Sequence, residues 1–375
     1  MNYTYRQIGD TYVVWFAPIN RFMHLQKPAF RVMEDWSRQL PNHQIILNCS
    51  NEFQQNKSDA HRFVIDVTGL LESLISNYQE AQTAILCNEA GPPPDADSFI
   101  TRYYRINGKT FRFRFSDPDM EELIHPGFCY LENQTPESEY DHGFDLFHQG
   151  DQSILQINGQ TTWKCPYSKT ENFVGLIFMQ MLNCIHNSAD SHWMGAVHAS
   201  TVSAGNGAVL FTAPSGSGKS TFAALLMNKG YQVLSDDFSP ISITDPKVYP
   251  FPEGISVKNR SLQVLQSYFP SLAAIGESIP TADREVFLPI ASCKLPPPAP
   301  VKAIVFLQYT PIVEEVAFSR ISNLEAMDRF LQQLWLPPTI EVASQFMDWY
   351  FQIPCYTLNY SNNNKAIDHL SNLFL

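Results

Sequence analysis

The stretch Ala213-Pro-Ser-Gly-Ser-Gly-Lys-Ser-Thr221 decides how this 375-residue chain is read. Before it stands Ala208-Val-Leu-Phe-Thr212, an apolar run of strand type. After it comes Phe222-Ala-Ala-Leu-Leu-Met227, whose residues favour a helix that Lys229-Gly230 would end. Strand, glycine-rich loop and helix in that order make a phosphate cradle. The backbone N–H groups of Ser215, Gly216, Ser217 and Gly218 and the positive helix end converge on one point. Lys219 reaches the terminal phosphates, and the Ser220 hydroxyl, next to Thr221, can hold a magnesium ion. The pattern G-x-x-x-x-G-K-[ST] departs once, because Ala213 stands at its first glycine. Pro214 biases Ala213 towards extended backbone, which a loop leaving a strand accommodates. Residues 215–221 are therefore expected to bind ATP with Mg2+.

A chain of this length exceeds one usual core, so two domains are expected. The formal charge of −12 and the lack of a basic stripe exclude nucleic acid as the main partner. Seven scattered cysteines, odd in number, read as reduced, packed thiols and not as a disulfide framework or zinc site. The N-terminus lacks the basic and apolar regions of a secretion signal. The longest apolar run, Phe173-Val-Gly-Leu-Ile-Phe-Met179, is too short to span a bilayer. The expectation is a cytoplasmic protein without a membrane partner; a homo-oligomer stays open.

Residues 3–19 hold two aromatic and β-branched runs around Gly9-Asp10, the pattern of a hairpin, and Phe22-Met-His-Leu25 fits a third strand. Helical periodicity follows over Lys27–Leu40 and Asp66–Gln82, with the polar stretch Asn51–Asp59 expected as a loop or wing. Gly91-Pro-Pro-Pro-Asp-Ala-Asp97 cannot continue helix or sheet, which sets a linker over 91–98 between a domain at 1–90 and one at 99–375. The first module resembles the PqqD-like family in Tyr12-Val-Val-Trp-Phe16, Phe22-Met-His-Leu-Gln-Lys-Pro-Ala-Phe-Arg-Val-Met33 and Val64-Ile-Asp-Val-Thr-Gly-Leu-Leu-Glu-Ser-Leu74. The resemblance implies a small winged-helix-like α+β domain that binds a segment of a ribosomally made peptide.

Beyond the linker, Tyr103–Phe115 reads as a hairpin around Asn107-Gly108, and alternation puts Arg112 and Arg114 on one solvated strand face. Short strands are expected over 144–163 and a buried helix over 170–187, which completes an N-terminal subregion at 99–190. In the core at 191–375, Ala204-Gly-Asn-Gly207 joins Val197–Ser203 to Ala208–Ala213 as a hairpin. Pairing Ser203 with Ala208 sets His198 opposite Ala213, at the mouth of the phosphate loop. After the helix, Tyr231-Gln-Val-Leu-Ser-Asp-Asp-Phe238 runs a strand out into Asp236 and Asp237. One acid can bind magnesium with Ser220 and the other can take a proton from an attacking hydroxyl.

His198, the phosphate loop and Asp236-Asp237, in this order and spacing, resemble the catalytic half of the HPr serine kinase/phosphatase family. That family shares its fold with phosphoenolpyruvate carboxykinases. The resemblance implies a mixed-sheet α/β P-loop kinase domain, with Asp236 as general base, Asp237 and Ser220 on Mg2+, and His198 supporting the acid or its substrate. The family's L-E-x-R-G-L-G segment is missing; Pro250-Phe-Pro-Glu-Gly-Ile-Ser-Val-Lys-Asn259 stands there, and Glu253 and Lys258 receive no role. Its absence argues against dephosphorylation and against HPr itself as substrate. Arg284 is a candidate phosphate contact, with a solvated loop arginine as the alternative reading. Val301–Leu307 reads as a buried strand, Leu324–Trp335 and Ile340–Phe351 as amphipathic helices, Cys355–Asn359 as a strand and Asn364–Phe374 as a closing helix. The function expected is ATP-dependent phosphorylation of a serine or threonine on a peptide or small protein. A non-catalytic ATP-binding regulator and a kinase of free serine-like molecules are the alternatives.

Overall fold

Aromatic and β-branched residues dominate Tyr3–Ile8 (β1), Thr11–Phe16 (β2) and Arg21–Gln26 (β3), and these strands pair antiparallel in that order. Successive residues of β2 face opposite sides, yet Tyr12 to Phe16 are all buried, so both faces of this sheet are covered. On one face Tyr12, Val14 and Phe16 pack with Phe30 and Met33 of α1 (Lys27–Ser37) and Leu71 of α3 (Lys57–Ala81). On the other the cover comes from the far end of the chain. In the helix Ile340–Tyr350, Phe346 meets the Phe22 ring edge-on at 5.4 Å, and Asp348 pairs with Arg6 at 2.6 Å. The computed structural model accordingly divides into two compact units, Met1–Ala84 with Leu336–Phe351, and Ile85–Trp335 with Gln352–Leu375. It describes residues 3–81, 99–133, 139–159, 161–270, 272, 286–290, 294–311, 315–370 and 373–374. The linker expected at 91–98 and Arg284 lie outside these residues.

The stretch Asn51–Asp59, expected as a loop or wing, is helical except at Gln54–Asn56. Asn42–Phe53 forms α2, which ends where Gln54 turns left-handed at φ 51°. The Asn56 side chain then caps α3 by accepting the Asp59 N–H at 2.9 Å. Only Ile45 and Cys49 of α2 are buried, too sparse an apolar stripe to announce a helix by its period.

The second unit begins with β4 (Ile100–Ile106), β5 (Lys109–Phe115), β6 (His142–Gln149), β7 (Gln152–Ile157) and β8 (Thr161–Pro166), a sheet in that order. Two short helices, α4 (Pro118–Glu122) and α5 (His125–Phe128), lie between β5 and β6 in the chain, and α6 (Thr170–His186) follows β8. Asn107 and Gly108 both take positive φ, as a tight two-residue hairpin requires. Arg112 and Arg114 do share a face, but it is not solvated. Their side chains are about four-fifths buried, and both reach Asp145 of β6, Arg114 at 2.6 Å and Arg112 at 3.4 Å. The parallel register that sets Arg114 beside Asp145 supplies the counter-charge such burial demands.

The larger sheet is mixed. Its strands are β9 (Trp193–Val197), β10 (Ala199–Ser203), β11 (Ala208–Thr212), β12 (Gln232–Ser235), β13 (Ser239–Ser242) and β14 (Lys247–Val248). After the separate pair β15 (Ile255–Val257) and β16 (Val286–Leu288) come β17 (Ala299–Tyr309), β18 (Ala317–Ile321), β19 (Leu334–Trp335) and β20 (Cys355–Tyr360). The order is β12-β10-β11-β17-β14-β13-β9-β19, with β20 beside β17 and β18 beside β20. β11, β17 and β20 run parallel, so their carboxyl ends share one edge. The helix α7 (Lys219–Asn228) buries Phe222, Ala223, Leu225 and Leu226 against Phe211, Val305 and Leu358 of that sheet. No helix among the described residues is long and apolar enough to cross a membrane.

Candidate phosphate-binding site

The cradle lies where β11 ends and α7 begins. Gly216 and Gly218 take φ of 80° and 94°, a region where a side chain strains the backbone. At Gly218 a Cβ would also lie 3.3 Å from the Tyr360 hydroxyl, whereas at Gly216 it would meet nothing within 4 Å, so the loop is open above that residue. Ala213, at the position of the missing glycine, is buried, and its carbonyl accepts from Lys219 Nζ at 2.9 Å. The Lys219 side chain is only 5% exposed. Burial pushes its pKa down, while the charges of Asp237 and then Asp236 pull it back up and that of Lys258 lowers it further. A buried ammonium 3.9 Å from its nearest carboxylate leaves room for a stronger anion.

Ser203 pairs with Ala208 and Ala199 with Thr212, and there the ladder ends, one residue short of His198 and Ala213. His198 itself sits in the break between β9 and β10, its N–H donating to the Gln333 carbonyl at 2.7 Å. Its ring reaches Asp237 twice. Nδ1 lies 3.2 Å from the backbone carbonyl and Nε2 lies 3.5 Å from the carboxylate.

β12 delivers the two acids into unlike surroundings. The Phe238 N–H donates to the Asp236 carbonyl at 2.7 Å, closing a three-residue turn about Asp237 at φ 60°. A γ-turn with a positive central φ is the rarer, strained kind. Asp236 is buried, Oδ1 accepting from the Ser200 hydroxyl and Oδ2 from the Ser256 N–H at 3.3 Å, and Ser220 also hydrogen-bonds to this carboxylate. Burial pushes its pKa up to about 7, the neighbouring Asp237 charge adds to this, and the three hydrogen bonds oppose it. The Asp237 side chain is 37% exposed.

Thr221 is occupied otherwise, since its hydroxyl donates to Ser261 Oγ at 2.6 Å and ties α7 to α8 (Asn259–Leu265). Glu253 lies against Gly127 of α5. Neither Ser200 nor Ser256 stands in a motif that marks it as part of the site. A Thr201–Ser235 pair between β10 and β12 sets Ser200 beside Asp236, and that register is invisible without knowing which strands pair. Ser256 acts through its backbone, which no residue type announces. No protein-family model and no curated protein matches the chain. The arrangement itself offers a glycine-rich anion cradle, a buried cation, an imidazole and two carboxylates of unlike exposure within one loop cluster.

Proposed function

We propose that the chain is an ATP- and Mg2+-dependent kinase acting on a serine or threonine hydroxyl of a peptide or small protein, with a catalytic unit of HPr kinase and phosphoenolpyruvate carboxykinase type. The observation that carries this reading is Lys219, buried between the Ala213 carbonyl and Asp237 at a loop with two left-handed glycines that is open above Gly216. The donor set fits magnesium, a hard cation that takes oxygen ligands and keeps sites for phosphate and water: the Ser220 hydroxyl and a carboxylate of the acid pair would hold it. Bound there, it would neutralise charge on the phosphate oxygens. Among the described residues no three of His, Cys, Asp and Glu form a cage of their own, so the ion would be shared with the nucleotide. The loop N–H groups orient the triphosphate, Lys219 balances its charge, and one carboxylate takes the acceptor's proton.

The first unit supports a peptide substrate, since β3 pairs only with β2 among the described strands and its outer edge offers backbone groups to an extended segment. ATP as donor places the reaction in the cytoplasm. Calorimetry with ATP and Mg2+ tests the core of the reading. Lys219→Ala is expected to weaken binding by roughly 100-fold, the scale of a lost hydrogen-bonded charge partner. Equal binding by wild type and variant rejects the site, and tight binding without transfer to any hydroxyl leaves a regulatory protein.

A further inference from the structure

The geometry points to Asp237, steadied by His198, as the base on the acceptor side, and to Asp236 as the partner of the metal-binding hydroxyl Ser220. This division rests on the kinase reading and is the reverse of the one the family resemblance implies. It follows from what each carboxylate already touches. Asp236 is 1% exposed; its Oδ1 holds Ser200 and its Oδ2 the Ser256 N–H, and it bonds to Ser220 as well. A carboxylate so enclosed has no free approach for a bulky acceptor. What it does share with the cradle is the hydroxyl that follows the phosphate-binding lysine, the group suited to magnesium.

Asp237 stands the other way round. It is over a third exposed, with Oδ1 3.9 Å from Lys219 Nζ and 3.5 Å from His198 Nε2. It therefore borders the place where the lysine would meet the terminal phosphate and remains reachable from solvent. His198 lies with Nδ1 3.2 Å from the Asp237 backbone carbonyl and Nε2 3.5 Å from its carboxylate, so the ring borders this side chain on one side. The backbone is strained here, because Asp237 is held at φ 60° inside a γ-turn. Such a conformation persists where the surroundings enforce it and gathers at reactive positions.

In the transfer, the acceptor O–H gives its proton to the Asp237 carboxylate as the oxygen's electron pair forms the bond to the γ-phosphorus. The bond from that phosphorus to the bridging oxygen breaks, and its electron pair leaves with the nucleoside diphosphate. Asp236 keeps Ser220 turned toward the phosphates throughout.

Two measurements on the full chain test this. A fluorescent ATP analogue, mant-ATP, is titrated with and without Mg2+, and ADP release from ATP is followed with water as the acceptor. Asp237→Asn should keep the Mg2+-dependent gain in affinity while ADP release falls by about 100-fold. Asp236→Asn should lose that gain, its affinity with Mg2+ dropping to the value without. Asp236 is buried, so Ser220→Ala provides the same metal-side result from a half-buried position should Asp236→Asn fail to fold. The division is overturned if Asp237→Asn loses the Mg2+ gain while Asp236→Asn keeps it, or if Asp237→Asn releases ADP at the wild-type rate. A wild-type chain that binds no mant-ATP rejects the kinase reading and the division with it.

Discussion

His186 shows how one residue ties this fold to pH. Its ring lies 5.1 Å from Tyr249 and 6.0 Å from Trp193, and Nε2 meets the Pro250 carbonyl at 2.9 Å. Burial pushes its pKa down, with Lys109 and His192 adding repulsion, and the Pro250 contact only partly compensates. His125 and His142 are depressed for the same leading reason. A depressed histidine binds fewer protons folded than unfolded once the pH drops below the ordinary histidine value of about 6.5, so stability should fall with acid. Urea midpoints between about pH 7 and pH 5 should decline, and His186→Gln should make that decline shallower. An unchanged slope in the variant would show that His186 titrates alike in both states. Residue scale is also where sequence reading reached least. Arg112 and Arg114 alternate as on a wet strand face, but their environment is decided by Asp145, which a parallel neighbour brings alongside. Ser200 is equally silent, a small polar residue in a strand of small residues, whose partner Asp236 follows β12.

Elements built from local signals were legible, and those fixed by distant contacts were not. The β10–β11 hairpin carries its own turn, so its register could be worked out residue by residue. The strand, loop and helix around Lys219 likewise rest on consecutive residues. By contrast, α2 buries so little that its period is faint, and its place is fixed by packing on α1 and α3. The strength of the loop signal has a consequence at Gly218. That residue caps α7 at φ 94° under the Tyr360 hydroxyl, so Gly218→Ala meets both backbone strain and a close contact. The left-handed conformation alone costs a residue with a Cβ about 1–2 kcal/mol. Gly218→Ala should therefore lower the melting temperature by roughly 2 °C for a chain of this size. Mant-ATP affinity should fall with it, because the loop that would relieve the strain is the cradle itself. A variant with full affinity and wild-type melting would mean that the loop relaxes without consequence.

At the scale of the whole chain, the first unit is not the N-terminal segment alone. Periodicity reveals that 340–350 is an amphipathic helix but not which sheet it covers, and here it covers the second face of β1–β3. Cutting away residues 1–84 would strip the cover that Phe22 gives to the fully buried Phe346 and leave an exposed apolar ring in the remaining chain. Loss of function after such a cut would not separate peptide binding from damage of this kind. A single substitution separates them. Phe346→Ala removes the ring that packs on Phe22 and should cost roughly 3–5 kcal/mol, the usual range for a buried phenylalanine. Hydrogen exchange should then quicken in β1, β2 and β3 while 208–228, the strand, loop and helix of the cradle, keeps its protection and mant-ATP its affinity. If exchange rose equally in 208–228, the two units would unfold as one. The helix would then couple peptide recognition to the nucleotide site, and its role would extend beyond completing a sheet.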